Sequence, residues 1–157
     1  MTRRVRFLVA TCVSLCVMAL TENPSKASSV RDQQIARLTI DLSDQRVLVT
    51  TTNGDKVSIK ISSGALKTPT RLGSFKITSK TRVGMSGSNN NVRMDFFTRF
   101  DKGIGFHGIP WNKSRDRRLW TPLGQKGVSH GCVRMADSWA RWIFEKAPVG
   151  TPVLVQK

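Results

Sequence analysis

Residues 37–61 alternate apolar and polar side chains with a period of two, which predicts antiparallel β-strands. The alternation begins at Arg37 and continues on both sides of a strong turn signal, Asn53-Gly54. Its apolar members are Leu38, Ile40, Leu42, Val47, Val49, Val57, Ile59 and Ile61. Because every second side chain on a strand faces the same side of a sheet, these residues predict one buried face.

The second half predicts further strands, separated by segments with little apolar periodicity. Strands are expected at residues 75–78, 92–97 and 104–106. Residues 84–91, rich in Gly, Ser and Asn, predict a flexible loop. Residues 111–127 are rich in Arg, Lys, Pro and Gly and predict a long exposed loop. Loops of that length often form the lid or wall of a functional site.

One helix is predicted near the C-terminus, at residues 137–147, before Pro148 and Gly150. Its apolar face consists of Trp139, Ala140, Ile143 and Ala147. Its charged face consists of Asp137, Arg141 and Glu145, whose spacing of four lets opposite charges attract. A closing strand follows at residues 151–155. The pattern as a whole predicts a mainly β domain with one principal helix packed on it.

The first 27 residues have the features of a secretory signal. Three arginines precede an uncharged apolar run at residues 7–20, and Ser25-Lys26-Ala27 offers small residues at a cleavage site. The run is shorter than the roughly 20 residues of a membrane span, so we expect cleavage, with an uncleaved anchor as the alternative. The prediction is a signal peptide at 1–27, a polar linker at 28–36 and one domain at 37–157. The protein is then exported to the periplasm or cell envelope, with no stable membrane span after processing.

The chain is strongly basic, with 26 Lys and Arg against 10 Asp and Glu and a net charge of +16. Cleavage after residue 27 removes four basic residues and one acidic residue, which leaves +13. Such a surface attracts polyanions. For an exported protein, anionic cell-wall polymers are more accessible than nucleic acid. The sequence contains no zinc finger, recognition helix or aromatic RNA-binding motif, so no nucleic-acid partner is expected.

Cys132 and the two histidines of the chain, His107 and His130, form the candidate reactive group. Cys12 and Cys16 lie within the signal run, so processing leaves Cys132 as a thiol without an intramolecular disulfide partner. Cysteine attacks as the thiolate, and an imidazole can take its proton. His107 belongs to another segment and can approach the sulfur across the sheet. We therefore favour His107 as the base and place His130 in the scaffold or substrate site.

The neighbouring residues suggest supporting roles. Gly131 permits a tight backbone path that can aim the amides of Gly131 and Cys132 at a developing oxyanion. The backbone carbonyl of Gly108 is a candidate to orient His107, because no carboxylate lies near His107 in the sequence. Arg134 follows the nucleophile by two positions and is suited to bind a substrate carboxylate through a forked ion pair.

Each of these residues also has a simpler interpretation. A lone cysteine is often a small buried hydrophobic residue, and histidines can be satisfied core residues. Arg134 alone is more often a surface or ion-pair residue. His107, His130 and Cys132 could instead ligate zinc, although the spaced Cys or His pairs of such sites are missing. Only the combination of these residues indicates nucleophilic catalysis.

At these residues the chain resembles the L,D-transpeptidase catalytic domain (YkuD-type), a family of exported enzymes that remodel peptidoglycan. Residues 129–135, Ser-His-Gly-Cys-Val-Arg-Met, match the family signature around its nucleophile, and residues 106–108 match the upstream His-Gly element. Residues 63–75 resemble the Ser-Thr-Gly and Thr-Pro-x-x-x-Gly-x-Phe region, and residues 150–153 resemble the closing strand. The resemblance spans about residues 37–156.

The resemblance implies a β-sandwich-like fold, with Cys132 as nucleophile and His107 as proton acceptor and donor. We place Ser129, His130 and Arg134 at the substrate. The implied donor substrate is a tetrapeptide stem of peptidoglycan: Cys132 attacks the carbonyl of its third residue and D-alanine leaves. An amine then resolves the thioester to give a 3→3 cross-link, without a metal or organic cofactor. The alternatives are a hydrolase that uses the same acyl-enzyme (an L,D-carboxypeptidase or amidase) and a non-catalytic wall-binding module.

Two features depart from the family pattern. The interval between His107 and Cys132 is long and contains a basic insert, residues 113–118, and Arg71 stands where a second proline is common. We see no separate wall-binding module in the sequence. We therefore hypothesise that the net positive charge holds the protein on anionic wall material instead.

Overall fold

The computed structural model describes residues 29–86 and 90–157. The predicted signal peptide at residues 1–27 lies outside the described residues. The described chain forms two β-sheets and one principal helix near the C-terminus, which confirms the predicted mainly β fold. No helix in these two ranges is both long and apolar enough to cross a membrane.

The strands and the helix are numbered in chain order. They are β1 (Ile35–Asp41), β2 (Arg46–Thr51), β3 (Lys56–Lys60), β4 (Gly73–Lys76), β5 (Ser79–Ser86), β6 (Val92–Asp101), β7 (Ile104–His107), β8 (Trp111–Asn112), β9 (Arg117–Arg118), β10 (Val133–Arg134), α1 (Asp137–Lys146) and β11 (Pro152–Gln156). One sheet has the order β3-β2-β1-β11-β4. The other has the order β10-β7-β6-β8-β9, with β5 paired to β6.

The alternating residues of the first half form the antiparallel strands β1, β2 and β3, as predicted. Their alternate apolar side chains are buried at Leu38, Ile40, Val47, Val49 and Ile59. β11 returns parallel to β1. A single hydrophobic cluster then joins residues of both sheets and of α1, and this shared core is what makes the arrangement sandwich-like.

The helix α1 buries a broader face than the sequence pattern predicted. Ala140 and Ile143 are fully buried as expected, but Trp142, which was not assigned to the apolar face, is also buried. On the charged face, Arg141 and Glu145 form the expected ion pair at 2.7 Å. The helix therefore faces the core through more than one row of side chains, with a charged row left in solvent.

Residues 28–36, predicted as a linker, belong to the folded unit from residue 29 onward. Residues 29–32 are helical, and the side chain of Val30 is buried in the main core. The indole N–H of Trp142 donates to the carbonyl of Arg31 at 2.9 Å. The sequence did not predict that this segment packs on the core, because one apolar residue, Val30, produces no periodic pattern.

The strand β5 lies partly where a loop was predicted. Residues 79–86 pair with β6 in antiparallel register, so residues 84–86 of the predicted loop 84–91 are extended. Within the described residues β5 pairs only with β6, and all of its side chains are exposed or half-buried. An edge strand held mainly by backbone hydrogen bonds needs no alternating apolar pattern, which is why the sequence did not reveal it.

Candidate active site

Two adjacent parallel strands bring the candidate residues together. β7 ends at His107, and β10 begins immediately after Cys132. The register places Val133 opposite Phe106 and Arg134 opposite His107. Because opposed residues on neighbouring strands face the same side, and residues two apart on one strand do so as well, Cys132, His107 and Arg134 share a face of the sheet.

These three side chains line one cavity of about 190 Å³. The other residues of its wall are Ser86, Val92, Met94, Pro110, Leu119, Ser129 and His130. Part of the wall therefore comes from residues 111–127, the segment predicted as a long loop, which contains the short strands β8 and β9. Of the two neighbouring lining residues, His130 is exposed and Ser129 is buried.

The segment that carries the candidate nucleophile Cys132, residues 129–135 and here called the nucleophile segment, is folded tightly around the side chain of Ser129. The Ser129 hydroxyl donates to the carbonyl of Cys132 at 2.6 Å and accepts from the amide of Gly131 at 3.0 Å. Gly131 has a φ of 110°, a conformation that favours glycine. The Ser129 hydroxyl and the Gly131 amide, both assigned by sequence to substrate or oxyanion contacts, are thus hydrogen-bonded to each other.

A strap formed by residues 62–70 holds the nucleophile segment in place. The hydroxyl of Thr68 donates to the carbonyl of Ser129, and that of Thr70 donates to the carbonyl of Gly131, each at 2.8 Å. These two threonines were not assigned a role by sequence. The only sequence feature at these threonines is the Thr-Pro-Thr motif, which by itself predicts an ordinary turn.

His107 is buried and its ring is held by the backbone. Nδ1 lies 2.7 Å from the carbonyl oxygen of Gly108. Because a carbonyl can only accept, Nδ1 carries the proton and Nε2 is left as an acceptor. Burial lowers the pKa of His107 to about 4; the Gly108 hydrogen bond opposes this, Arg134 adds to it and Asp137 opposes it. The imidazole is therefore neutral at pH 7.

The Cys132 thiol is protonated in the resting site. Burial raises its pKa above the ordinary value, against the opposing effects of the Gly105 backbone and of the charges on Arg134 and Arg99. Together with the neutral imidazole of His107, this makes the pair a thiol and a base rather than a thiolate and an imidazolium. A nucleophilic attack by this sulfur would therefore require proton transfer.

Arg134 brings a positive charge into the cavity. Its Nε is buried and has no hydrogen-bond partner among the described residues. Burial lowers the pKa of Arg134, but a guanidinium remains charged at any physiological pH. A buried N–H of a cation without a partner is costly, so this site favours an anionic group with oxygen acceptors.

Asp137 and Arg118 contact the segment that follows His107, and neither was assigned to the site by sequence. Oδ1 of Asp137 accepts from the amide of Ile109 at 2.9 Å. Arg118 binds both oxygens of the same carboxylate, with Nη2 at 2.6 Å from Oδ2 and Nη1 at 3.1 Å from Oδ1. Asp137 was expected to attract Arg141 along the helix, but its ion pair is with Arg118 of β9. These residues are distant in sequence, so no local pattern indicates them.

Within residues 29–86 and 90–157, no group of three or more His, Cys, Asp or Glu side chains is arranged to hold a metal ion. Cys132 is free of any disulfide. The cavity presents the thiol of Cys132, the neutral imidazole of His107 and the guanidinium of Arg134.

Comparison with known proteins gives one consistent result. The family model YkuD, described as the L,D-transpeptidase catalytic domain, matches residues 35–155. The probable L,D-transpeptidase 3 of Mycobacterium tuberculosis (strain ATCC 25618 / H37Rv) is 27% identical over 116 residues, which cover 66% of this chain and 40% of that protein. The chain spans about two fifths of the length of the curated relatives it matches.

Solved structures agree in fold. An L,D-transpeptidase from Mycobacterium tuberculosis H37Rv has a TM-score of 0.66 at 25% identity, over 78% of this chain and 58% of that chain. The L,D-transpeptidase LdtMt1, solved in complex with imipenem, has a TM-score of 0.64 at 25% identity, over 78% of this chain and 59% of that chain. Because the family model covers most of the residues from β1 to β11, the chain belongs to the L,D-transpeptidase catalytic domain family, YkuD.

Proposed function

We propose that this chain is a peptidoglycan L,D-transpeptidase with Cys132 as its nucleophile and His107 as its general base. The observation that carries the proposal is that the thiol, the imidazole and the guanidinium of Arg134 line one cavity. Membership of the family supports the reaction class. The donor substrate is a tetrapeptide stem, attacked at the carbonyl of its third residue.

The reaction has two half-reactions. The sulfur of Cys132 bonds to the carbonyl carbon while its proton passes to Nε2 of His107. The carbon–nitrogen bond then breaks, His107 returns the proton to the leaving amine of D-alanine, and a thioester remains. In the second half-reaction, the amine of another stem attacks the thioester and loses a proton to His107. The sulfur departs and is reprotonated, which leaves a 3→3 cross-link.

The resting protonation states leave His107 able to accept the thiol proton. With a pKa of about 4, His107 is already in its basic form at neutral pH. The hydrogen bond from Nδ1 to the Gly108 carbonyl holds the tautomer in which Nε2 can accept. Since the thiol is protonated at rest, the sulfur becomes a strong nucleophile only as the base takes its proton.

The remaining site residues are proposed to bind substrate or to shape the backbone. We assign to Arg134 a carboxylate of the stem peptide, because its buried Nε lacks a partner in the described structure. His130 contacts the substrate from its exposed position at the cavity. The backbone amide of Cys132 is the proposed oxyanion donor. Gly131 contributes the turn, and Ser129 already binds its amide.

We further propose that the protein acts in the periplasm or cell envelope, where residues 1–27 direct it and anionic wall polymers retain it by charge. N-terminal sequencing of the exported protein tests cleavage after Ala27. Binding of the processed protein to isolated sacculi should weaken as salt is raised, because ions screen exposed charges. Salt-independent binding would rule out retention by charge.

The central experiment follows the mass of the protein and of tetrapeptide muropeptides during incubation. We expect an acyl adduct with release of D-alanine, then dimers with a 3→3 cross-link. Cys132→Ala, the matched control, should form no adduct. An adduct that yields only shortened stems would indicate a hydrolase. No adduct with the unmodified chain would contradict an enzymatic role and favour a wall-binding module.

Imipenem offers a second probe, because it is the ligand in the LdtMt1 structure. It contains a strained cyclic amide, whose carbon–nitrogen bond breaks when a thiol attacks its carbonyl carbon. We expect a stoichiometric adduct at Cys132. His107→Ala should slow its formation at least about a hundredfold, the range of one positioned acid–base group. Arg134→Ala should chiefly raise the half-saturating concentration of tetrapeptide for acylation. Unchanged acylation of His107→Ala would remove His107 from the mechanism.

A further inference from the structure

The turn that follows His107 is held by the first residue of α1. The carboxylate of Asp137 accepts the amide of Ile109 at 2.9 Å. It also lies directly against Gly108, since a Cβ added there would clash with Oδ1 of Asp137. The carboxylate thus touches the backbone on both sides of the Gly108 carbonyl, the group that binds Nδ1 of His107.

Arg118 completes this contact from the basic insert. Its guanidinium binds both oxygens of Asp137, and Nη1 also donates to the carbonyl of Ile109. One arginine and one carboxylate therefore satisfy both the N–H and the C=O of Ile109. A forked pair of this kind fixes geometry as well as charge.

We propose that Arg118 and Asp137 form a latch that positions the general base, by fixing the backbone turn whose Gly108 carbonyl orients the ring of His107. The inference rests on the proposed function of His107 and assigns the two residues as positioning residues, without contact to the substrate. It also gives the basic insert a role: the insert carries Arg118 to the latch, and Leu119, the next residue, lines the cavity.

The exposure of the pair separates this role from a merely stabilising one. The side chains of Arg118 and Asp137 are 43% and 36% exposed, and ion pairs at such exposure contribute little to folding stability. Loss of the latch should therefore change the rate of acylation far more than the melting temperature. A displacement of about 1 Å in a reacting group can cost about a hundredfold in rate.

The experiment measures the maximal rate constant and the half-saturating concentration for acylation by imipenem. We expect Arg118→Gln to lower the rate constant about tenfold and leave the half-saturating concentration unchanged. Arg117→Gln is the matched control: Arg117 precedes Arg118 on β9, is exposed, and forms no ion pair among the described residues. It removes the same charge and should acylate as the unmodified chain does.

A double-mutant cycle tests whether the two residues act as a unit. Asp137→Asn keeps an oxygen acceptor for Ile109 but loses the charged pair, and should also cost about tenfold in rate. If the latch is one unit, Arg118→Gln with Asp137→Asn should lose about tenfold rather than about a hundredfold. Arg118→Lys, which keeps charge but not the fork, should restore only part of the rate.

Amide hydrogen exchange provides a readout that does not need activity. The amide of Ile109 should exchange about tenfold faster in Arg118→Gln than in Arg117→Gln. Equal acylation and equal exchange in these two variants would overturn the latch. If the unmodified chain is not acylated at all, the proposed function fails. The exchange measurement then still decides whether Arg118 and Asp137 fix the turn.

Discussion

The nucleophile segment at residues 129–135 and the base segment at residues 107–109 face the same cavity but are fixed by different contacts. The first is held by the buried hydroxyls of Ser129 and Thr70 and the half-buried hydroxyl of Thr68, which bind backbone atoms. The second is held on one side by an exposed ion pair, Arg118 and Asp137. Buried neutral hydrogen bonds are costly to break, whereas exposed ion pairs are weak and are screened by salt.

The difference indicates how the site divides its tasks. The nucleophile segment needs a backbone path that ordinary residues do not adopt, and it is enclosed by the strap. In the proposed mechanism the base segment needs the correct direction of one carbonyl, and the contact proposed to set it lies at the surface. We therefore expect changes near the nucleophile to affect stability and rate together, and changes at the latch to affect mainly rate.

The dependence of stability on pH below neutrality tests the protonation of His107 in the base segment. The pKa of His107 lies at about 4 in the folded protein and at 6.5 ordinarily, so below pH 6.5 the unfolded chain binds a proton that the folded chain does not. Stability should therefore fall as the pH drops from 6.5 through 4, by up to about 3 kcal/mol. Urea unfolding across this range should show a smaller loss in His107→Gln. An equal loss in both proteins would mean that the buried imidazole titrates normally.

Gly131→Ala tests the nucleophile segment. An alanine at a φ of 110° is strained, and its Cβ would lie 2.7 Å from Cδ1 of Ile104. We expect acylation to fall about a hundredfold, because Cys132 follows directly. The matched control is Gly150→Ala, which has a φ of 95° but open space around the added Cβ and lies away from the cavity. It should lose stability with little change in rate, and a similar loss of rate in both variants would contradict the assignment.

Thr70→Val tests the strap. The Thr70 hydroxyl donates to the carbonyl of Gly131 and accepts from the amide of Gly64, and valine would leave both groups unpaired. We expect a loss of about 2 kcal/mol in the free energy of unfolding and slower acylation. Thr51→Val is the control, because its buried hydroxyl has no hydrogen-bond partner in the described structure. Calorimetry should find that variant as stable as the unmodified chain or more stable; equal losses would count against the strap.

Gly108→Ala sharpens the comparison at the base. The added methyl group meets the carboxylate of Asp137, so one of the two must move. We expect acylation to slow about tenfold, with a smaller change in melting temperature than in Thr70→Val. Stopped-flow acylation with imipenem and a thermal melt measure the two effects. A variant that loses stability but keeps its rate would indicate that Gly108 serves packing alone.

Much of the fold was predictable because its signals are local. The alternation in β1 to β3, the Asn53-Gly54 turn and the helix at residues 137–147 were read from periodicity and turn chemistry. The edge strand β5 and the packed segment at residues 29–32 were not. Both are held mainly by backbone hydrogen bonds or by a single buried side chain, and neither kind of contact produces a repeating pattern.

The sequence by itself identified the candidate reacting groups: one thiol after a glycine, two imidazoles that each precede a glycine, and an arginine two residues past the thiol. Residue types and spacing indicate these candidates because nucleophilic catalysis depends on them. Only the tertiary structure decided the rest. The parallel pairing of β7 with β10 set Cys132 and His107 on one face, burial set their protonation, and Thr70, Arg118 and Asp137 joined the site. Those contacts connect residues far apart in the chain, and such proximity exists only once the chain has folded.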